Sequence, residues 1–211
     1  MADRQNFCIH SFNSNDKSPF MKKQYTYSDF RQMYAAAEET VQQFRNIDEI
    51  KFHTKPAPSA WSAAEICSHI TQFNRLYLEA MQSDLDENEV GSSDDKPFSP
   101  GFLVRKYAAW MEPPYKIKLK TLKSFYPEKD SDSDSKEIIL SSLIDVLSAT
   151  IDFIDSCEAS NVDAEKTKGR NPLLRFLPMS LTEFLVLMDA HQRRHFWQVE
   201  ITIGKVSAPE S

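Results

Sequence analysis

SLTEFLVLMDAHQRRHFWQVEITIG, residues 180–204, is the stretch that decides the fold. Ser180-Leu181-Thr182-Glu183 has the form of a capping box. In that device a serine hydroxyl accepts from the backbone N–H three residues on, and the glutamate carboxylate accepts from the serine's own N–H. Met179 and Phe184 stand where the accompanying hydrophobic staple is expected. Phe184, Leu187, Met188, His191, His195, Val199 and Thr202 then recur at spacings of three and four, the signature of one α-helical stripe. Gly204 is expected to end the helix.

Working outward, the same device recurs at Ser62-Ala63-Ala64-Glu65, with Trp61 and Ile66 as its staple. The stripe that follows, Ile66, His69, Ile70, Phe73, Tyr77, Ala80 and Met81, predicts a helix from about Ala63 to Gln82. An earlier helix is expected from Ser28 as N-cap, with Phe30, Met33, Tyr34, Ala37, Val41, Phe44 and Ile47 as its apolar face. Another is expected from Lys136 to Cys157 on Ile139, Leu143, Val146, Leu147, Thr150, Ile154 and Cys157. Phe102 to Met111 predicts a short helix stopped by Pro113-Pro114. Between these lie the Pro-broken Lys55–Ser59, an acidic loop over Ser83–Gly101, a solvated loop over Thr121–Ser135 and a loop over Asn161–Met179.

Four long amphipathic helices, each with one apolar stripe, predict an all-α four-helix bundle with long loops. The expected organisation is an irregular N-terminal arm over 1–27, pinned by Phe7, Phe12 and Phe20, a bundle domain over 28–204 and a tail over 205–211. Hydrophobic residues make up 41% of 211, enough for a packed core, and only four glycines argue against a turn-rich β fold. A net charge of −6 disfavours nucleic-acid binding, and the lysines at 116, 118, 120 and 123 read as a solvated face. Three unpaired cysteines, Cys8, Cys67 and Cys157, suit a reducing compartment, with Cys67 expected as a packing thiol. No apolar signal region stands in Met1–Phe20 and no window is long and apolar enough to span a membrane, so the expectation is a cytoplasmic protein.

His191 and His195, four apart in His-Gln-Arg-Arg-His, are separated by about 40° and one turn on a helix, so their imidazoles lean toward one spot. His69 lies on the apolar stripe of another helix, from which it can face the pair. Three imidazoles can share one divalent ion and leave a position open to solvent. The bland reading is of core histidines with one hydrogen-bonded nitrogen each. His10 and His53 fall in segments read as non-helical and as ordinary surface. Gln192 replaces the general-base glutamate of the His-Glu-x-x-His motif, and Asp189, about 160° around from His191, is expected to face away. Glu65 is read as a cap first and a partner for an imidazole second. Gln198 is read as an inward hydrogen bonder or positioning group, and Arg194 as solvent-exposed near the pocket mouth.

Trp61-Ser62-Ala63-Ala64-Glu65-Ile66-Cys67-Ser68-His69-Ile70 and His191-Gln192-Arg193-Arg194-His195-Phe196-Trp197-Gln198 resemble the DinB/YfiT-like superfamily. There a Trp-Ser opening leads into the helix of the first histidine, and a late helix carries His-x-x-x-His followed by a glutamine. The resemblance spans roughly Ser28 to Gly204, and only these two segments are specific. It implies a four-helix bundle, a zinc or nickel site on His69, His191 and His195, and a homodimer. It also implies hydrolase or thiol-transferase chemistry, in which the metal activates water or a low-molecular-weight thiol toward a small-molecule substrate. The acidic insert and the N-terminal arm depart from the family pattern and leave the substrate open. The rival expectation is a non-catalytic dimeric helical scaffold with a structural or vestigial site.

Overall fold

The computed structural model describes residues 22–87, 96–113, 134–174 and 176–207. Four long helices carry the bundle: α1 (Tyr27–Phe44), α3 (Ala63–Glu87), α5 (Lys136–Ala159) and α6 (Leu181–Val206). Two short helices, α2 (Glu49–His53) and α4 (Phe102–Met111), and two strands, β1 (Lys168–Arg170) and β2 (Pro178–Ser180), complete the described elements. Both α1 and α3 pack chiefly against α5 and α6. Of the consecutive long helices, α1 and α3, like α5 and α6, therefore sit across the diagonal of the bundle, whereas α3 and α5 are neighbours.

The sequence stripes become the core. All seven predicted apolar positions of α5 are buried, as are Phe30, Tyr34, Ala37, Val41 and Phe44 of α1 and Ile66, Ile70, Phe73, Tyr77 and Met81 of α3. Two tyrosines fix the packing with polar ends: the Tyr34 hydroxyl donates to the Leu185 carbonyl (3.0 Å) and Tyr27 to that of Val162 (2.7 Å). Such buried hydroxyls are tolerated because each has a partner.

Helix boundaries differ from expectation in instructive ways. The first helix is capped by Thr26, not Ser28: the Thr26 hydroxyl accepts from Asp29 N and the Asp29 carboxylate accepts from Thr26 N, an aspartate version of the capping box. A short helix at Glu49–His53 replaces an expected irregular segment, with Asp48 as cap and Phe52 buried. His53 is thus helical and half-buried, 3.3 Å from Glu49. The second long helix runs five residues past Gln82, to Glu87, and Leu85 packs on the core there. Gly204 does not end α6: no described glycine has positive φ, the helix continues to Val206 and Ser207 N bonds the Ile203 carbonyl (3.0 Å).

The expected loop over Asn161–Met179 contains the antiparallel β1–β2 ribbon, with Gly169 opposite Met179. It leaves α5 through a Schellman turn: Asn161 has φ 52°, Asn161 N bonds Glu158 O and Val162 N bonds Cys157 O. The ribbon runs straight into the α6 cap, since Ser180 ends β2. The N-terminal segment enters by a bridge between Tyr25 and Phe98 (2.7 and 2.8 Å). Cys8, His10, Phe7, Phe12, Phe20, the 116–123 lysines and most of the Thr121–Ser135 loop lie outside the described residues. No described helix is long and apolar enough to cross a membrane.

Candidate metal centre

The two capping boxes aim the histidine helices. In α3, Glu65 N bonds the Ser62 hydroxyl (3.2 Å) and Ser62 N bonds the Glu65 carboxylate (2.8 Å), whose other oxygen takes Lys55 Nζ (2.6 Å). Glu65 thus acts as the helix cap, as expected, and also pairs with Lys55. In α6 the equivalent bonds join Ser180 and Glu183 (3.2 and 2.8 Å). With both starts fixed and α3 packed along α6, His69 meets His191 and His195 in the interior.

One ring nitrogen from each histidine lies within 4.8 Å of the others. His191 Nε2 and His195 Nε2 are 3.2 Å apart. Two tetrahedral ligands at about 2.0–2.1 Å from one ion stand about 3.3 Å apart, so this pair is already at a shared-ligand separation. His195 Nδ1 is 2.9 Å from Gln198 Oε1. The amide oxygen accepts the Nδ1 proton, which leaves the Nε2 lone pair directed at the cluster. The donor set therefore fits a divalent ion.

Burial favours the neutral form of His191 and His195. His69 and His195 are 3% and 8% exposed. Burial first, then the neighbouring imidazoles and the Arg194 charge, hold His191 well below the usual imidazole range. Burial likewise brings His195 down to about 3. Neutral imidazole is the metal-binding form. His191 Nδ1 is buried and finds no hydrogen-bond partner among the described residues, an unfavourable placement that a functional site can retain.

Aromatic rings brace the ligands. Phe73 stacks on His191 with ring centres 3.8 Å apart, and Trp61 lies 5.1 Å from the His69 ring. Phe73 is one turn beyond His69 on the same helix face, so its spacing carried the signal although it reads equally as core. Trp61, expected only as a staple, touches the ligand itself.

The other face of α6 is covered too, and this overturns the expectation that Arg194 is exposed: it is 6% exposed. The helix α4 also packs on α6. There Arg193 is ion-paired to both Asp189 and Glu112 at the α4 terminus. Gln192 accepts from Asn74 (3.0 Å) and donates to Asp189 (3.3 Å). Asp189 and Gln192 thus belong to a buried polar network joining α3, α6 and α4. Neither Glu112 nor Asn74 was foreseen, because a helix-terminal glutamate and a mid-helix asparagine carry no local signal of burial. Cys67 is buried, as expected of a packing thiol, and burial raises its pKa.

A family model described as the DinB superfamily matches residues 32–199. The chain belongs to the DinB superfamily. No curated protein and no solved structure gives a match. Membership and the three-histidine group shared between α3 and α6 are together compatible with metal binding.

Proposed function

We propose that this DinB-superfamily protein is a divalent-metal-dependent enzyme of small-molecule metabolism, with His69, His191 and His195 holding zinc or nickel. The observation that carries the reading is the imidazole trio, with its ligand nitrogens within 4.8 Å of one another and two Nε2 atoms 3.2 Å apart. An ion bound there supplies Lewis acidity, activating a coordinated water or low-molecular-weight thiol for attack on an electrophile.

The chain's own residues do the rest. Gln198 fixes the His195 tautomer and acts as a positioning residue. Phe73 and Trp61 hold two rings in place and keep bulk water from the trio, which strengthens electrostatic interactions inside. The Glu65 carboxylate accepts from Ser62 N and Lys55 Nζ, and that of Asp189 accepts from Gln192 and pairs with Arg193. An ion held by the trio would lower the pKa of a coordinated water or thiol and so ease the loss of its proton. Such a site suits thiol transfer and hydrolysis alike.

The test is metal content followed by activity. The purified chain is loaded with zinc or nickel, assayed for bound ion, then incubated with an electrophile with and without a small thiol. Thiol-dependent consumption of the electrophile supports transferase chemistry, and thiol-independent consumption supports hydrolysis. Bound metal with neither reaction, together with a large fall in melting temperature on chelation, supports the structural-metal scaffold instead.

A further inference from the structure

A cavity of about 530 Å³ lies where α3, α4, α6 and the β1–β2 ribbon meet, within the size range of small-molecule sites. Its walls include Tyr77, Val104, Tyr107, Asn171, Leu177 and Leu187. Leu187 precedes His191 by one helical turn, about 6 Å along the axis. Tyr77 stacks on Phe73 (4.3 Å), which stacks on His191 (3.8 Å), so one aromatic wall separates the cavity from the metal trio.

The lining selects against charge. Among the described lining residues no cation is present, and the one anion, Glu183, has its oxygens bonded to Ser180 N and Gly101 N. A charged ligand would be desolvated there without compensation. The buried polar group on offer is the Tyr77 hydroxyl: it accepts from Asn171 Nδ2 (3.2 Å), and its proton has no acceptor among the described residues. Tyr77 is 2% exposed, so that proton is not left to bulk solvent.

We infer that this cavity binds the apolar body of a neutral molecule and that the Tyr77 hydroxyl donates a hydrogen bond to an acceptor, such as a carbonyl oxygen, on it. Its assignment as the electrophilic substrate rests on the metal-enzyme reading above. The ligand enters beside α4, whose Phe102 and Leu103 are exposed at the rim, and lies one turn of α6 from the ligating rings.

The probe is prodan, a neutral apolar ketone dye whose emission shifts to the blue on leaving water, titrated into the zinc-treated full chain. Saturable binding of one dye per chain with blue-shifted emission is expected. Val104→Trp, which fills the cavity from the half-exposed face of α4, should weaken binding at least tenfold. Tyr77→Phe should weaken it about fivefold, the effect of one neutral hydrogen bond. Ile203→Trp, in a separate groove between α2 and α6, should leave it unchanged. Absence of saturable binding, or binding that survives both cavity variants and is lost in Ile203→Trp, overturns the inference. Zinc is counted in the same samples. Zinc without dye binding removes this inference alone, whereas dye binding without zinc removes the metal reading and with it the substrate assignment.

Discussion

At the scale of single residues, the site depends on a bond that the sequence only hinted at. Gln198 Oε1 holds His195 Nδ1–H at 2.9 Å and so decides which nitrogen faces the cluster. Gln198→Leu is expected to lower zinc affinity about 10–100-fold, with Gln198→Glu retaining most of it. Competition titration against a chelator checks this, and a leucine variant that binds zinc like the wild type would remove Gln198 from the account. The same rings give the apo protein a pH signature. Folding holds His191 well below the ordinary imidazole range and His195 at about 3, while in the unfolded chain both return to about 6.5. Between those values the unfolded state binds more protons, so apo stability rises with pH across that window and falls as the solution is acidified through it. Urea unfolding of the chelator-treated protein from pH 7.5 downward, run with His191→Ala as comparison, should show the loss beginning near 6.5, as a rough mark. A slope unchanged by the substitution would contradict this origin.

At the scale of elements, capping chemistry set the directions of the helices, and the sequence read it well where serine and glutamate stood three apart. It read poorly at α1, where Thr26 and Asp29 do the same work with a shorter acid and Ser28 was the more obvious cap. Thr26→Ala should cost about 1 kcal/mol and Ser28→Ala under about 0.5 kcal/mol, judged by denaturant midpoints. Equal effects would restore Ser28. The ends of α3 and α6 ran past expectation because acidic residues and Gly204 permit helix where neighbours pack against it. The polar network under α4 lay beyond sequence reasoning, since only the tertiary placement of α4 puts Glu112 against Arg193. Arg193→Met leaves two buried carboxylates, Asp189 and Glu112, without their shared cation and should destabilise by about 3–5 kcal/mol. Adding Glu112→Gln should recover part of that loss, and a double variant as unstable as the sum of the singles would argue against the coupling.

At the scale of the whole molecule, four apolar stripes were enough to expect the bundle, and two short segments around the histidines were enough to expect their convergence. The order of the helices around the bundle was not legible, because stripe periodicity says which face is buried and nothing about which helix buries it. The aromatic wall behind His191 follows from that order, and α6 is packed by both α3 and α4, so more than one stripe of it is interior. The cavity beside Tyr77 likewise exists only because the β1–β2 ribbon and α4 converge on the start of α6, where Glu183 ties Gly101 N to the helix cap (3.0 Å). Bundle, trio and cavity meet in one claim, that His69, His191 and His195 together hold one divalent ion. It is tested most directly by elemental analysis of the full chain after loading with zinc, nickel, cobalt or manganese and removal of excess metal. One tightly held ion per chain, lost on His191→Ala substitution while the helical signal persists, is the expected result. No stoichiometric ion from any of the four metals, or one retained by His191→Ala, would contradict it.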